Sequence, residues 1–280
     1  MPYSHTCYFV QGFNPCKDIC RYYNVNMPRK NTVRHDIEGG FYHIYNRGID
    51  KRTIFQDQTD YAVFLRFIKE HLLPPDHPDL LILQGLNPRR HAISCYGTVE
   101  LLAYCLMPNH FHLFIRQIKK GGVAEFMRAL ATNYSMYFNQ KNKREGPLFQ
   151  GTYKAVLVAD DPYLLWITKY IHQNPAELIA RVKPSQGLAE YSYSSYPDYL
   201  GLRNTDWLKP EIILDCFAGV SAGNFKQKGI SKYQDFIEDI DEDAAPEAFN
   251  TLLLDDESAE GDFAGEPMDP SSSDTRVKPL

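Results

Sequence analysis

Two histidines separated by one phenylalanine are the clearest chemical feature of this sequence. His110 and His112 lie in the alternating segment Pro108-Asn109-His110-Phe111-His112-Leu113-Phe114. Alternation predicts a strand, in which residues i and i+2 point to the same face. Two imidazoles on one face can share a divalent metal ion. From spacing alone, the alternative is an ordinary pair of half-exposed histidines.

A second chemical feature is the segment Tyr170-Ile171-His172-Gln173-Asn174-Pro175 at the end of a predicted helix. Tyr170 and Asn174 are i and i+4, so they lie one turn apart on one helix face. A phenol in that position can lie beside a metal ion that the amide oxygen also ligates. The alternative for Tyr170 is packing at the core or its boundary. His172 lies off that face, and we interpret it as a surface or packing residue.

The elements that must position these residues predict an α+β fold. Predicted helices cover residues 57–73, 123–139 and 160–174, and predicted extended segments cover 41–48, 92–105, 110–117 and 148–158. The order strand, helix, strand, strand, helix, strand is that of a ferredoxin-like split βαβ fold. We therefore expect an antiparallel sheet with helices on one face. Residues 74–91 are predicted to be a loop, and 176–210 loops and short elements.

Charge divides the chain more sharply than its net value of −5 indicates. Residues 235–280 hold 15 acidic and two basic side chains, whereas residues 1–234 hold 28 basic and 20 acidic ones. We predict a disordered acidic tail over 235–280 and a short helical appendage over 206–234. The tail is either a solubilising end or a DNA mimic that covers a basic site. Met27 precedes a basic segment and is a candidate initiator, so residues 1–26 are predicted to be an N-terminal extension, either native or upstream of the true start.

Membrane and secreted classes are not favoured by the composition. The sequence has no apolar run near the roughly 18 residues that span a bilayer, and residues 1–20 make a poor secretion signal. The six cysteines have no paired zinc-site spacing, which favours free thiols in a reducing compartment. We expect a cytoplasmic protein with no membrane partner.

Taken together, the motifs resemble the single-tyrosine transposases with a His-hydrophobe-His motif, and most closely the branch called REP-associated tyrosine transposases. The matching segments are 43–48, 54–55, 60–61, 107–113, 146–151, 153–154, 170–175 and 193–196. They keep the order and spacing of that family from residue 27 to about residue 200. Within the resemblance, residues 27–205 would be the catalytic domain.

The resemblance implies a role for each motif residue. His110, His112 and Asn174 would ligate Mg²⁺ or Mn²⁺, and Tyr170 would be the nucleophile. The substrate would be single-stranded DNA, presented beside a hairpin or a REP-like palindrome and cleaved through a 5′-phosphotyrosine. The protein would be a monomer or a homodimer, and the tyrosine helix would complete the site of its own chain or of a partner.

Basic side chains flank these motifs and suit contacts with DNA phosphates. Arg47, beside a glycine turn at a strand end, is the strongest single candidate. The full predicted DNA-binding set is Arg47, Lys119, Lys120, Lys141, Lys143, Arg144, Gln150, Lys154 and Lys169. Lys154 and Lys169 are also candidates for the positive charge that would favour an ionised phenol. For each residue, a solvated surface position is the alternative.

The function that we predict is a DNA transposase that nicks and joins strands. Two alternatives remain. The first is a catalytically silent regulator that binds hairpin DNA, and the second is a metal-dependent nuclease that uses water instead of Tyr170.

Overall fold

Four strands form one sheet in the computed structural model, which describes residues 36–86, 93–158, 161–218 and 225–239. They are β1 (Phe41–Arg47), β2 (Val99–Met107), β3 (His110–Gln117) and β4 (Lys154–Val158). The strand order is β2-β3-β1-β4, and all neighbouring pairs are antiparallel. This order confirms the predicted α+β class with a split βαβ arrangement.

Helices connect and extend the strands. They are α1 (Gln58–Leu72), α2 (Pro78–Leu86), α3 (Gly122–Lys141), α4 (Asp161–Gln173), α5 (Ala176–Val182), α6 (Tyr196–Tyr199), α7 (Glu211–Ala218) and α8 (Phe225–Glu238). Two 3₁₀ turns lie at Ile49–Lys51 and Leu188–Glu190. The predicted helix over 57–73 is confirmed, and Asp57 caps it by accepting a hydrogen bond from the backbone N–H of Asp60 at 3.1 Å. No helix in the described ranges is long and apolar enough to cross a membrane.

The sheet is covered on both faces, which corrects the expectation of helices on one face. Ile44 and Leu113 point into a core that α1 and α3 close with Phe64 and Tyr134. The alternate residues of the same strands, including Phe114, pack with α4, α7 and α8 in a second core. Because β2 and β3 contribute apolar side chains to both cores, both faces of the sheet are buried.

The C-terminal helices belong to the second core. Ile213 on α7 and Tyr233 on α8 are buried in the same cluster as Ile167 on α4. The tail boundary predicted at residue 235 is wrong, since α8 continues to Glu238 and Ile237 is fully buried. The acidic count concealed an apolar stripe at helical spacing. The N-terminal extension and residues 240–280 of the tail lie outside the described residues.

Two further local predictions need correction. Residues 74–91 contain α2, which begins at Pro78 in the first helical position, where proline is favoured. The extended segment predicted over 92–105 becomes β2 at Val99, after a turn in which Gly97 has a φ of 69°. Glycine adopts this left-handed conformation without steric cost.

Candidate active site

β3 places both histidines of the His-hydrophobe-His motif on the face that α4 covers. Phe111 points into the opposite core with Leu113, while Phe114 shares the α4 face. The rings of His110 and His112 lie with centroids 5.0 Å apart and nearly perpendicular. The alternation therefore predicted their common face correctly.

The tyrosine motif meets these histidines from α4. The backbone N–H of Asn174 donates to the carbonyl of Tyr170 at 2.9 Å, so Asn174 continues the helical turn. The ring of Tyr170 lies edge-on to the ring of His112, with centroids 5.3 Å apart. Oδ1 of Asn174 lies 3.2 Å from Nε2 of His110. Residues that are about 60 positions apart in the sequence thus form one cluster.

The ring of His110 has a polar side chain beside each of its nitrogens. Nδ1 of His110 lies 2.6 Å from Oδ1 of Asn109, whose Nδ2 faces the carbonyl of Lys51 at 3.5 Å. An amide oxygen only accepts, so Nδ1 carries the proton. In the neutral ring, Nε2 then presents a lone pair towards the side-chain amide of Asn174, 3.2 Å away. An NH2 donor from a rotated amide, an imidazolium or a shared cation would each satisfy this pair.

His43 is a site residue that the sequence analysis did not single out. Its Nε2 lies 2.9 Å from Nδ1 of His112, and both side chains are buried, with 2 % and 0 % exposure. Burial lowers the pKa of His112 well below its ordinary value, and the charge of His110 lowers it further. His112 is therefore neutral at physiological pH. The alternation of β1 puts His43 on the face of Tyr45, but its partner lies on β3, 69 residues away.

Three loops converge at the end of the sheet where His110 lies. The backbone N–H of Gly48 donates to the carbonyl of Asn109 at 2.8 Å, and that of Gln150 donates to the carbonyl of Arg47 at 2.8 Å. The Arg47 guanidinium donates from Nε to the side-chain oxygen of Gln150. Arg47 is paired with His110 in the strand register. Two members of the predicted DNA-binding set thus lie together at the rim of the cluster.

Lys154 brings positive charge to the same cluster. It is paired with Tyr45 across β1 and β4, and its Nζ lies 5.5 Å from the centre of the Tyr45 ring. That ring stacks 5.9 Å from the ring of His112. The ammonium of Lys154 is therefore placed on the histidine side of the sheet.

Lys169 does not have the predicted role. It is buried, and its ammonium donates to the backbone carbonyl of Asp239 at 2.6 Å, between the rings of Trp166 and Phe236. One residue along a helix turns a side chain by about 100°, which carries Lys169 away from the face of Tyr170. Lys169 attaches α8 to α4 and is withdrawn from DNA.

Two other basic residues also have internal partners. The Lys141 ammonium lies 2.7 Å from a carboxylate oxygen of Asp57 and 2.6 Å from one of the fully buried Asp60, joining α3 to α1. Arg144 donates to the side chain of Asn139 at 2.6 Å and to the carbonyl of Pro147 at 3.1 Å. The prediction of Lys141 as a DNA contact is corrected, because carboxylates more than 80 residues away hold its ammonium. The Arg144 guanidinium is held locally, by groups three and five residues away.

Three predicted DNA contacts stay on the surface. Lys143 is exposed just after α3, with a left-handed φ of 49°. Lys119 and Lys120 are exposed, but they follow the far end of β3. At about 3.3 Å per residue, that end lies roughly 23 Å from His110, so these two lysines do not border the histidine cluster.

His172 is a fully buried packing residue. Nδ1 lies 2.6 Å from the hydroxyl of Tyr233, and Nε2 lies 2.7 Å from Oγ of Ser195. Ser195 in turn contacts the backbone of Tyr104 on β2. Burial and the charge of Arg203 lower the pKa of His172 to about 3. The neutral ring thus links α4 to α8 and the sheet.

The fold and this cluster define an α+β protein with a polar site on one sheet face. The family model described as "Transposase IS200 like" matches residues 86–174, a segment that contains both motif histidines, Tyr170 and Asn174. Through this segment the chain is similar to the IS200-like transposases.

Solved structures similar to this chain include the REP-associated tyrosine transposase bound to a REP hairpin, at 14 % identity, covering 64 % of this chain and 91 % of that one, with a TM-score of 0.40. A putative transposase from Deinococcus radiodurans R1 has 15 % identity, coverages of 52 % and 97 %, and a TM-score of 0.29. A tRNA(His) guanylyltransferase from Saccharomyces cerevisiae has 9 % identity, coverages of 79 % and 86 %, and a TM-score of 0.29. None of the curated proteins matches the chain.

Proposed function

We propose that this protein is a transposase that cleaves and rejoins single-stranded DNA through a 5′-phosphotyrosine at Tyr170. In this proposal His110, His112 and Asn174 hold Mg²⁺ or Mn²⁺. The observation that carries it is the proximity of the side chains of His110 and Asn174, whose Nε2 and Oδ1 lie 3.2 Å apart beside the Tyr170 helix.

The donor set fits a divalent cation that substrate oxygens also ligate. Within the described ranges, no group of three or more His, Cys, Asp or Glu side chains is placed to hold a metal ion. The proposed set instead combines two imidazoles with one amide oxygen. Mn²⁺ accepts imidazole and oxygen ligands, and Mg²⁺ takes much of its coordination from substrate phosphates and water. When bound, the ion would polarise the scissile phosphate and offset its developing charge.

The side chains of this protein account for the covalent steps. The phenol oxygen of Tyr170 forms a bond to phosphorus, and the bond from phosphorus to the 3′ oxygen breaks. The phenol proton passes to solvent, and the departing oxygen takes a proton and becomes a 3′-OH. In the reverse step, the 3′-OH of a second strand attacks the phosphotyrosine and releases the phenol. The phosphodiester bond energy is kept throughout, so rejoining requires no nucleotide cofactor.

Positive and polar groups at the rim of the cluster would hold the DNA backbone. Arg47, Gln150 and Lys154 lie nearest to the histidines, and exposed Lys143 extends the surface. A hairpin beside the cleaved strand is part of the proposal through the motif resemblance. All four proposed catalytic and ligand residues meet within one chain, which supports a site completed by its own tyrosine helix.

A covalent-adduct assay tests this proposal. The protein is incubated with labelled, hairpin-bearing single-stranded DNA and Mn²⁺, and the products are separated on a denaturing gel. We expect an adduct that Tyr170→Phe abolishes and that Tyr163→Phe, on the same helix, retains. Cleavage that survives Tyr170→Phe would instead identify a nuclease that uses water. Binding without cleavage would identify a regulator.

A further inference from the structure

A third histidine lies directly behind one of the proposed metal ligands. Nε2 of His43 is 2.9 Å from Nδ1 of His112, and the two rings are nearly parallel, with centroids 5.1 Å apart. The ring of Tyr45 stacks against His43 at 5.1 Å, and the ring of Tyr170 lies edge-on to it at 5.8 Å. His43 is thus held in a fixed orientation at the back of the site.

One proton is shared between the two facing nitrogens, and its location decides what His112 can do. If Nδ1 of His112 carries the proton and donates to His43, Nε2 of His112 presents a lone pair. If His43 donates instead, Nε2 of His112 carries a proton and cannot ligate a metal ion. Metal-ligating histidines commonly donate their second ring N–H to a neighbouring acceptor, which fixes both tautomer and ring orientation.

We propose that His43 is a positioning residue that accepts the Nδ1–H of His112 and so holds His112 in its metal-binding tautomer. The metal role of His112 rests on the function proposed above, but the tautomer does not depend on it. His43 acts through its acceptor nitrogen rather than through its ring shape. A side chain that keeps an acceptor at this position should therefore preserve the effect, and an aromatic side chain without one should not.

The metal-free protein provides the first test, because ring ¹⁵N NMR distinguishes the two tautomers. We expect His112 to be protonated at Nδ1 in the wild-type protein and in His43→Gln, whose side-chain oxygen can accept. In His43→Phe we expect the Nδ1–H form to be lost. Finding His112 protonated at Nε2 in the wild-type protein overturns the proposal, whatever the catalytic function is.

The second test is Mn²⁺ affinity, measured by electron paramagnetic resonance with hairpin-bearing single-stranded DNA in the uncleavable Tyr170→Phe background. We expect His43→Phe to weaken Mn²⁺ binding about 10- to 100-fold and His43→Gln to restore most of it. His71→Gln, which changes a buried histidine far along α1, should leave the affinity unchanged.

The two tests separate the possible failures. Equal Mn²⁺ affinity in His43→Phe and the parent protein, or a His43→Gln variant as weak as His43→Phe while both remain folded, contradicts the positioning role. If His110→Ala also leaves Mn²⁺ binding unchanged, the proposed metal site itself is wrong, and the NMR result alone decides the tautomer.

Discussion

The two faces of the sheet are built from alternate residues of the same strands, yet they have different tasks. On the α1 and α3 face, residues such as Ile44 and Leu113 are closed under an aromatic core that includes Phe64. On the α4 face, Phe114 is buried in the second core, whereas His110 and His112 line the proposed site. Because side chains alternate along a strand, β3 contributes to the stabilising core on one face and to the proposed site on the other.

The α4 face itself differs between its two ends. On the α4 face, apolar packing occupies the end near Phe41 and Phe114, and polar rings occupy the end near Arg47 and His110. Tyr170 and Asn174 reach the polar end from a helix whose other residues, such as Ile167, belong to the second core. The packing of α4 therefore fixes the position of Tyr170, the proposed nucleophile.

The largest effect is expected on the closed face. Phe64 is fully buried, and its ring contacts Phe111 at 5.2 Å and Tyr134 at 4.9 Å between centroids. Phe64→Ala should lower the free energy of unfolding by about 3–5 kcal/mol, because it leaves a cavity among these rings. Urea unfolding measures the loss. A loss below about 1 kcal/mol would show that this face is not the main stabilising core.

The polar end of the α4 face should be important for cleavage and not for stability. His110→Ala removes a half-buried ring, so its unfolding free energy should change by less than about 1 kcal/mol. The cleavage rate should fall at least about a hundredfold, because a proposed metal ligand is lost. Single-turnover cleavage measures the rate. A variant that cleaves normally would remove His110 from the proposed ligand set.

A pH effect is expected from the packed part of the α4 face. The pKa of His172 is about 3 in the folded protein, against an ordinary value of 6.5. Because the pKa of His172 is lower in the folded protein, its neutral ring contributes its full stabilisation above pH 6.5. This contribution to the free energy of unfolding is lost as the pH falls from 6.5 towards 3. The slope is at most about 1.4 kcal/mol per pH unit for one group.

His172→Gln should therefore flatten the decline of stability between pH 6 and pH 4, measured by urea unfolding at each pH. Part of the slope remains, because His112 also has a lowered pKa. An unchanged slope would show that His172 is not held in the neutral form.

The smallest expected effect is on DNA binding, and it should distinguish a lysine beside the histidine cluster from one at the far end of β3. Lys154→Ala should weaken binding to single-stranded DNA severalfold and reduce the salt dependence by about 0.7, the value for one phosphate contact on a single strand. Lys120→Ala, at the far end of β3, is the matched control and should change neither quantity. A larger effect from Lys120 than from Lys154 would place the DNA at the opposite end of the sheet.

Local periodicity was sufficient for the relations within one element. It placed His110 and His112 on one face, and it placed Asn174 one turn after Tyr170, as the structure shows. The order of elements also predicted the sheet. Local pattern did not single out His43, because its partner His112 lies 69 residues away on another strand.

The misplaced basic residues have the same explanation. Lys141 is neutralised by Asp57 and Asp60 on α1, and Lys169 is held by the carbonyl of Asp239 at the end of α8. These partners lie 70 or more residues away, so no sequence window contains both members of a pair. A basic cluster in the sequence predicts lysines that can contact DNA phosphates. Tertiary packing decides whether each ammonium stays exposed or is paired inside the protein.

The central claim is that Tyr170 is the residue that becomes joined to DNA. Trypsin cuts after Lys169 and Arg181, so Tyr170 is the one tyrosine in the peptide 170–181. Mass spectrometry of the digested adduct, formed with hairpin-bearing single-stranded DNA and Mn²⁺, should find the nucleotide phosphate on this peptide. A phosphate found on the peptide that holds Tyr45, or on any other peptide, would contradict the account.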